Sequence, residues 1–281
     1  MHHRVTVARN LLKAWLLFLI PAGLLGFVGW RLGDYRVALL FAGSVFLLAA
    51  VVYWYSDRIA MGMVGARELL PTEAPALATA VSTLSGRARV IRPKLYLIPD
   101  GYPRALCAGR GARGGAALAV STGLLGVATP AELEGIVAHE LAHIRSRDVL
   151  TQSVVTIVAA AIIESSRIGG YFQRGFLFVL GPIAASFVHL MLSPKREYDA
   201  DRDAAALCDS PHGLADGLIR LEQSMGLVQF QASPATEPLY TADPFANEGL
   251  AAQFQTHPPL GERVQRLRDL DEGWRERLRA A

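Results

Sequence analysis

Charged side chains are distributed very unevenly along this chain of 281 residues, and this feature most limits what the chain can fold into. Residues 14–30 and 37–56 contain no charged side chain over 17 and 20 positions. As helices these stretches would extend about 25 and about 30 Å, close to the hydrocarbon core of a bilayer. The pattern predicts a transmembrane hairpin at residues 1–56 and excludes a wholly soluble protein.

A second charge-poor region covers residues 149–194, in which the charged residues are Glu164, Arg167 and Arg174. Its first apolar stretch, residues 149–163, is short for a membrane span of about 20 residues. The region predicts a second hairpin. The sequence leaves open whether this hairpin spans the bilayer, enters and leaves on one side, or packs inside the protein.

Basic residues flank the predicted hairpins mainly on one side. Because basic residues near short loops remain in the cytoplasm, this bias predicts that both termini and the charged parts of the chain are cytoplasmic. The two hairpin turns carry Arg31, Arg36, Arg167 and Arg174. The flanking basic residues are Arg4, Arg9, Lys13, Arg58, Arg67, Arg145, Arg147, Lys195, Arg196 and Arg202.

The remaining parts of the chain, residues 57–148 and 195–281, have the mixed charge of a soluble domain. We therefore predict one soluble domain in two parts, interleaved with hairpins at 1–56 and 149–194. The fold class that follows is an α+β integral membrane protein. It is mostly helical, with a small β-sheet and about four transmembrane or apolar helices.

Local patterns place the elements of this domain. Thr129, Pro130 and Glu132 give a helix start in which threonine caps, proline takes the first helical position and glutamate closes a capping box. This helix is predicted to extend to about residue 148, and a Pro-rich connection covers 233–244. The other predicted helices cover 66–85, 195–209, 212–226 and 260–279, and the predicted strands cover 90–98, 104–109 and 116–122.

Composition excludes several classes of function. The net charge is only +3, and the sequence contains no long block of charges of one sign, so no nucleic-acid partner is expected. Cys107 and Cys208 are far apart in sequence and predict small buried side chains rather than a disulfide framework or a CxxC metal pair. The glycine-rich turn at 109–115 lacks the phosphate-loop pattern.

The predicted helix at 129–148 carries the sequence His139-Glu140-Leu141-Ala142-His143. Residues four apart share one face of a helix, so both imidazoles can reach the same metal ion. Glu140 is placed to handle a water bound to that ion, whose pKa zinc lowers toward neutrality. The pattern predicts a metal site that can hydrolyse an amide bond.

A catalytic zinc site of this kind needs a third protein ligand. Glu197 and Asp201 form an ExxxD spacing on a predicted helix, so Glu197 can bind the metal while Asp201 steadies a ligand histidine. Three carboxylates in five residues are also typical of a solvated helix face. The other downstream candidates are Asp148, Glu164, His189, Asp199 and His212.

Several motifs follow one another along nearly the whole chain. The two N-terminal apolar segments, the stretch VSTGLL at 120–125, HELAH at 139–143, ExxxD at 197–201 and THPP at 256–259 together resemble the HtpX-like membrane zinc metalloproteases. Distant relatives of that family are the zinc CAAX prenyl endopeptidases. The resemblance implies a zincin-like metalloprotease domain of the gluzincin type, formed by the two soluble parts of the chain.

The resemblance also implies roles for single residues. One zinc ion would be bound by His139, His143 and Glu197, with Glu140 as general base. His257 and Arg263 match a family pair expected near the catalytic water and Asp201. The implied protein is a multi-pass endopeptidase of the inner membrane that cleaves misfolded or membrane protein segments on the cytosolic side.

One position departs from the family pattern. The family usually has asparagine before its edge strand, within Pro-Asn-Ala-Phe-Ala, where this chain has Arg104 in Pro-Arg-Ala-Leu-Cys-Ala. A guanidinium there can donate to substrate or to an oxyanion, and it can equally face solvent. The solvent-facing arrangement is the one we expect, with substrate binding by Arg104 as the alternative.

The spacing of the motifs also predicts where the site lies. If the helices at 139–143 and 197–201 continue into the second hairpin, the metal lies about 8–9 Å beyond the apolar segments, at the membrane surface. Substrates would be juxtamembrane segments bound in extended form beside an edge strand at 104–109.

Two other functions remain possible on the sequence. A zinc-stabilised membrane scaffold that binds without cleaving would not need Glu140. A CAAX-type prenyl endopeptidase would need a larger membrane chamber than four apolar segments provide. Cleavage within the bilayer is disfavoured because charged residues flank the HELAH sequence.

Overall fold

The protein is described here from a computed structural model covering residues 2–70, 72–166, 170, 172–225, 234–241 and 256–280. Helix α1 (His2–Leu32) and helix α2 (Tyr35–Met63) form the N-terminal hairpin, and both are longer than the apolar stretches that predict them. Asp34 caps α2 by accepting a hydrogen bond of 2.8 Å from the Arg36 N–H. The two helices approach closely, because a side chain at Gly29 would lie 2.7 Å from the Val37 carbonyl oxygen.

A small mixed sheet follows. Its strands are β1 (Arg67–Glu68), β2 (Lys94–Ile98), β3 (Ala105–Gly109) and β4 (Ala116–Ser121), in the order β1-β2-β4-β3. Strands β2 and β4 are parallel, whereas β1 and β3 pair antiparallel to their neighbours. The strand predicted at 90–98 begins only at residue 94, because Pro93 has no N–H to donate to a ladder.

The prediction of a helix at 66–85 is wrong about where the helix begins. Helix α3 covers Pro75–Ala88, and its proline occupies the first turn, the one helical position where a missing N–H costs nothing. Residues 67 and 68 instead pair with Leu97 and Tyr96 as strand β1.

Helix α4 (Thr122–Val127) leads directly from β4 into helix α5 (Pro130–Ser146). The predicted capping box of α5 is confirmed, since Thr129 and Glu132 each accept a hydrogen bond from the other's backbone N–H. Helix α5 ends two residues earlier than predicted, at an Arg147 with φ of 61°. Helix α6 (Asp148–Ser165) begins at the next residue.

Helix α5 and the sheet form the main core. Side chains on one face of the sheet, including Cys107 and Leu118, pack with α3 and α5. Side chains on the other face, including Leu106 and Ala117, pack against the last turns of α2. The sheet is therefore held between the soluble core and the end of the N-terminal hairpin.

The second hairpin consists of α6 and helix α7 (Gln173–Met191). By length and composition, two helices of the described chain, α2 and α6, can cross a membrane. The number becomes three if residues 177–191 and the following helix α8 (Lys195–Leu207), bent by 49°, form one broken span. The structure thus has two or three apolar helices of spanning length where the sequence predicts about four, and residues 19–32 form a shorter apolar stretch.

Helix α9 (His212–Met225) and helix α10 (Leu260–Ala280) complete the soluble part and agree with their predicted positions. A short 3₁₀ helix (Pro234–Leu239) lies within the predicted Pro-rich connection, of which residues 233 and 242–244 lie outside the described residues. Helix α9 crosses α5 at very short range, because a side chain at Gly135 would lie 2.3 Å from the Leu214 nitrogen.

Candidate metal centre

Helix α5 brings His139 and His143 onto one buried face, as their spacing predicts. The two Nε2 atoms lie 3.2 Å apart, and the residues are 0% and 3% exposed. The other face of α5 carries Leu133, Val137 and Leu141, which belong to the main core with the sheet. The capping box and the apolar stripe therefore fix the orientation of both imidazoles.

Glu197, in the first turn of α8, completes the group. Its carboxylate oxygens lie 3.5 Å from His139 Nε2 and 3.6 Å from His143 Nε2. Within the part of the chain that the structure describes, these three side chains form a cluster in which every offered ligand atom lies within 4.8 Å of the others. The separations are near the roughly 3.3 Å expected between ligand atoms of a tetrahedral zinc with bonds of about 2.0–2.1 Å.

The environment of Glu197 agrees with a divalent cation in the cluster. The residue is 1% exposed, Arg196 Nε lies 3.2 Å from its Oε1 as an ion-pair partner, and neither carboxylate oxygen accepts a well-aligned hydrogen bond from the described residues. Burial raises the pKa of Glu197, but the neighbouring His257 and His143 lower it to well below its usual value. A buried, ionised carboxylate without a well-aligned hydrogen-bond donor fits a metal ligand.

Each histidine is held by a carboxylate through its other ring nitrogen. Asp201 Oδ1 lies 2.9 Å from His139 Nδ1, and Asp148 Oδ2 lies 2.9 Å from His143 Nδ1. Carboxylates in this position fix the tautomer, leaving Nε2 as the ligand atom, and raise the basicity of the imidazole. Asp148 is the first residue of α6, so the break at Arg147 is what turns its side chain back toward the site.

Arg263 lies in the first turn of α10 and is completely buried. It donates two hydrogen bonds to Asp201, of 2.8 Å from Nε and 2.7 Å from one terminal nitrogen. Burial lowers the pKa of Arg263, but the paired Asp201 raises it above its usual value, so the guanidinium remains charged. A fork of this kind locks both the carboxylate and the ring of His139 behind it.

His257 lies in the loop before α10, with its Nε2 3.6 Å from Glu197 Oε2. The side chain is 2% exposed. The predicted site residues His139, His143, Glu197, Asp201, His257 and Arg263 are thus brought to one place, although they come from three separate parts of the chain.

Glu140 is 2% exposed. Its Oε1 accepts a hydrogen bond of 2.6 Å from the Thr241 hydroxyl. The carbonyl oxygen of Thr241 accepts from Arg263 at 2.6 Å. Thr241 therefore joins Glu140 to the Asp201–Arg263 pair.

Thr241 is the last described residue of the stretch 234–241, whose residues 240 and 241 lie on the outer edge of β3. The Thr241 N–H donates to the Ala105 carbonyl at 3.2 Å, and Tyr240 pairs antiparallel with Leu106. We call residues 234–241 the edge-covering segment. Its residues Tyr240 and Thr241 pair with the first residues of the strand beside which substrate is predicted to bind.

The expectation that Arg104 faces solvent is wrong. It is 7% exposed, because Asp100 holds its guanidinium at 2.8 Å and the Tyr240 ring centroid lies 5.6 Å from it. A carboxylate four residues earlier in the chain and an aromatic ring across the strand edge draw the side chain inward. Arg104 thus contacts the edge-covering segment.

The remaining candidates for a third ligand lie elsewhere. Asp199 is partly exposed near Arg202, and His212 pairs with Asp271 at 3.0 Å. Glu164 and His189 are exposed on α6 and α7. None of these four side chains belongs to the described metal-ligating cluster.

Sequence reasoning missed two contributions. Asp148 was considered only as a ligand, although an aspartate five residues after His143, just past the helix end, is a signal for an orienting partner. Thr241 carries no signal in the sequence, because a single threonine in a Pro-rich connection is indistinguishable from any other.

Comparison with known proteins finds a peptidase family and related proteases. The family model described as "Peptidase family M48" matches residues 71–271. The chain is 36% identical over 276 residues to "Protease HtpX homolog" of Pelotomaculum thermopropionicum, covering 92% of this chain and 98% of that protein. It is 35% identical over 280 residues to the protein of the same description from Thermococcus kodakarensis, covering 93% and 96%.

A solved structure, "Crystal Structure of S. mikatae Ste24p", also resembles the chain, with 17% identity and a TM-score of 0.47. The match covers 95% of this chain and 66% of that one.

Proposed function

Because the chain belongs to peptidase family M48 and is an HtpX-like metalloprotease, we propose that it is a membrane-anchored zinc endopeptidase with its site at the cytosolic membrane surface. In this proposal His139, His143 and Glu197 hold one zinc ion and Glu140 is the general base. Its substrates are misfolded or juxtamembrane segments of membrane proteins. The observation that carries the proposal is the buried triangle of His139, His143 and Glu197 atoms with Glu140 next to it on α5.

The donor set fits zinc, because two imidazole nitrogens and one carboxylate leave a fourth position open for water or substrate. Bound zinc supplies Lewis-acid chemistry, polarising a carbonyl and making water more acidic. Glu140 takes the proton of the attacking water and later delivers it to the leaving amine. Asp148 and Asp201 hold the two histidines in the tautomer that this arrangement needs.

His257 and Arg263 act on the charge that develops during attack. The ring of His257, held beside Glu197, donates to the oxyanion of the tetrahedral intermediate. Arg263, whose two hydrogen bonds fix Asp201, keeps the His139 side of the site rigid. Loss of an oxyanion donor of this kind lowers turnover roughly 10²–10³-fold.

The position of the edge strand in the sheet indicates where a substrate peptide would bind. Strand β3 is at the end of the strand order, so an extended peptide of almost any sequence can pair with its backbone once residues 240 and 241 leave that edge. Asp148 links the site directly to the first turn of α6, which supports a position close to the bilayer surface. The straight-helix estimate of this distance does not apply, since α5 breaks at Arg147 and the helix pair α7–α8 bends by 49°.

The proposal is tested with full-length protein purified in detergent under chelator, reloaded with zinc and given casein as an unfolded substrate. The variant Glu140→Gln is expected to abolish cleavage and keep one zinc per chain, because the ligands are untouched. Glu134→Gln, a charge-matched change on the same helix, serves as control and retains full activity.

Three outcomes separate the alternatives. Equal cleavage by Glu140→Gln and the native chain would contradict the mechanism. Zinc binding without any cleavage by the native chain would favour a non-cleaving scaffold. Cleavage of prenylated CAAX peptides alone, and of no unmodified protein, would favour the prenyl endopeptidase.

A further inference from the structure

A cleft of about 450 Å³ lies where α2 leaves its apolar stretch and meets the sheet. One wall is apolar and aromatic, formed by Val51, Trp54 and Tyr55. The other wall is cationic, formed by Arg58, Lys94 and Arg110. We call this the interfacial cleft. It is separate from the metal centre, none of whose residues line it.

The cations of the interfacial cleft are not neutralised by ion pairs. Within the described chain, no carboxylate oxygen lies within 4.0 Å of a charged nitrogen of Arg58, Lys94 or Arg110. Asp57, which is 7% exposed, also lines the cleft. Three cations and one carboxylate give the cleft a formal charge of +2. Arginines elsewhere in the soluble part commonly have carboxylate partners, as in the Arg104–Asp100 and Arg263–Asp201 pairs.

Arg110 is built into the cleft. Its guanidinium lies 4.5 Å from the centroid of the Trp54 ring, a stacking distance for a cation on an indole. A side chain at Gly115 would lie 2.3 Å from Arg110 Nε, so the guanidinium in its present position packs directly on this glycine. That Nε is buried and has no hydrogen-bond partner among the described residues.

The two walls match the two ends of a phospholipid. Val51 belongs to the apolar stretch 37–56, which is predicted to cross the bilayer, whereas Arg58 and Lys94 lie beyond that stretch. Trp54, 59% exposed, and Tyr55, 47% exposed, take the position at the bilayer surface that amphipathic rings prefer. We propose that the interfacial cleft binds the phosphate-bearing headgroup of an anionic phospholipid, with its glycerol end against Val51 and Trp54.

Charge selects the class of lipid. A zwitterionic headgroup brings its own cation toward Arg58, Lys94 and Arg110, whereas phosphatidylglycerol and similar lipids bring net negative charge. Basic side chains at a membrane surface attract anionic lipids in this way. The expected preference for an anionic over a zwitterionic lipid is about 10-fold or more.

The fluorescence of Trp54, which lines the interfacial cleft, can report the binding of a lipid there. Replacing Trp15, Trp30 and Trp274 with phenylalanine leaves Trp54 as the single tryptophan of the full-length protein. The protein is placed in phosphatidylcholine vesicles containing either dibromo-phosphatidylglycerol or dibromo-phosphatidylcholine, both of which quench tryptophan on contact. Half-maximal quenching is expected at an about 10-fold lower mole fraction of the brominated anionic lipid.

The variant Arg58→Gln/Lys94→Gln/Arg110→Gln is expected to remove the preference. The matched control, Arg87→Gln/Arg89→Gln/Arg268→Gln, removes the same charge from exposed positions elsewhere and keeps it. If the triple variant does not fold, as judged by its melting transition, the single Arg110→Gln change is expected to reduce the preference at least 2-fold.

Three results would overturn the proposal. One is equal quenching by the two brominated lipids, and another is a preference that survives the triple substitution. The third is loss of the preference in millimolar inorganic phosphate but not in chloride of equal ionic strength, which would assign the cleft to a soluble phosphate instead.

A second inference, which rests on the proposed function, concerns the edge-covering segment defined above. Its residues Ala235, Leu239 and Tyr240 are at most 2% exposed. The Pro238 carbonyl accepts hydrogen bonds from Gln152 and, at 3.1 Å, from Arg196. We infer that this segment occupies the place of a bound peptide on β3 and must leave before substrate can pair there.

The contacts of Thr241 support this inference. Its N–H donates to the Ala105 carbonyl, an edge acceptor that an extended peptide would use, and its hydroxyl donates to Glu140. In this covered state Thr241 occupies both the Ala105 acceptor on the edge of β3 and the Glu140 carboxylate. The covered state is therefore inactive, because a substrate peptide cannot pair with the edge while Thr241 holds it.

A disulfide can lock the covered state. Leu106 and Tyr240 are antiparallel partners in one buried cluster, a geometry compatible with a disulfide. In a background of Cys107→Ala and Cys208→Ser, the oxidised Leu106→Cys/Tyr240→Cys variant is expected to lose at least about 10-fold in casein cleavage. Reduction with a phosphine that does not bind zinc restores activity.

The control is Arg67→Cys/Leu97→Cys, a second pair of antiparallel partners at the end of the sheet opposite β3, whose oxidation leaves activity unchanged. Cleavage by the oxidised Leu106–Tyr240 variant within 2-fold of its reduced form would overturn the inference. The native chain is measured alongside, and failure of the zinc-loaded native chain to cleave would count against the proposed function rather than against the covered state.

Discussion

Glu197 and Asp201 lie one helical turn apart and meet the same histidine through different atoms. Glu197 approaches Nε2 of His139 at 3.5 Å, whereas Asp201 approaches Nδ1 at 2.9 Å and is tied to Arg263. The two carboxylates should therefore differ sharply in their effect on bound zinc.

Glu197→Ala is expected to remove most bound zinc, because it deletes one of three ligand atoms. Asp201→Asn and Asp148→Asn are expected to weaken zinc about 10–100-fold, the usual cost of losing a partner behind a ligand histidine. Asp199→Asn, on the same helix but outside the cluster, is the control. Metal analysis after identical dialysis decides, and a larger loss in Asp201→Asn than in Glu197→Ala would reverse the two roles.

Asparagine rather than alanine is the informative change at Asp201. Deleting the carboxylate altogether leaves Arg263 buried without its partner, which costs about 3–5 kcal/mol of folding free energy. The amide keeps the shape and one acceptor. A zinc loss in Asp201→Asn with an unchanged melting temperature therefore reports on His139 and not on unfolding.

Both cysteines are expected to resist alkylation in the folded protein. Burial and the neighbouring Glu140 charge raise the pKa of Cys107 well above its usual value, and burial with Glu134 raises that of Cys208 to about 12. A raised pKa lowers the thiolate fraction at pH 8, and the thiolate is the reactive form. Iodoacetamide should react at least about 100-fold more slowly than with an exposed thiol introduced by Gln223→Cys. Rapid modification of Cys107 would show that the β3 face opens readily.

At the scale of helices, the α5–α9 crossing depends on an absent side chain. A side chain at Gly135 would lie 2.3 Å from the Leu214 nitrogen, so Gly135→Ala must push the helices apart. We expect a loss of about 1–3 kcal/mol and a lower melting temperature in detergent. Gly86→Ala, in α3 with no atom within 4 Å of the added group, should instead gain about 0.5–1 kcal/mol. Equal effects of the two changes would contradict the close crossing.

The sequence predicts those elements whose determinants are local. The capping box and apolar stripe of α5 place His139 and His143, and the ExxxD spacing places Glu197 and Asp201. The start of α3 is not predicted, because the competition between a helical turn and pairing of residues 67–68 with β2 is decided by tertiary contacts. Thr241 reaches Glu140 only through the packing of residues 234–241 on β3, which no periodicity encodes.

At the scale of the whole molecule, the two hairpins differ in what covers them. The apolar window of α2 is only 11% buried inside the protein, whereas that of α6 is 61% buried. Most of α2 is thus left uncovered by protein, whereas protein covers most of α6, whose first residue also contacts the metal centre. If α6 crosses the membrane, this contact couples the membrane position of the molecule to the geometry of its site.

The path of α6 can be measured by labelling cysteines in intact spheroplasts with an impermeant maleimide, in a Cys208→Ser background. A helix of 18 residues spans about 27 Å, enough to cross the hydrocarbon core. Ser165→Cys, at the far end of α6, is therefore expected to label from outside as readily as Leu32→Cys at the first hairpin turn. Glu222→Cys on α9 should label only after the membrane is permeabilised, since the basic flanks predict that this part of the chain is cytoplasmic. Labelling of Ser165→Cys only after permeabilisation, with Leu32→Cys still labelled from outside, would mean that α6 and α7 enter and leave on the cytosolic side and that the N-terminal hairpin alone crosses the membrane.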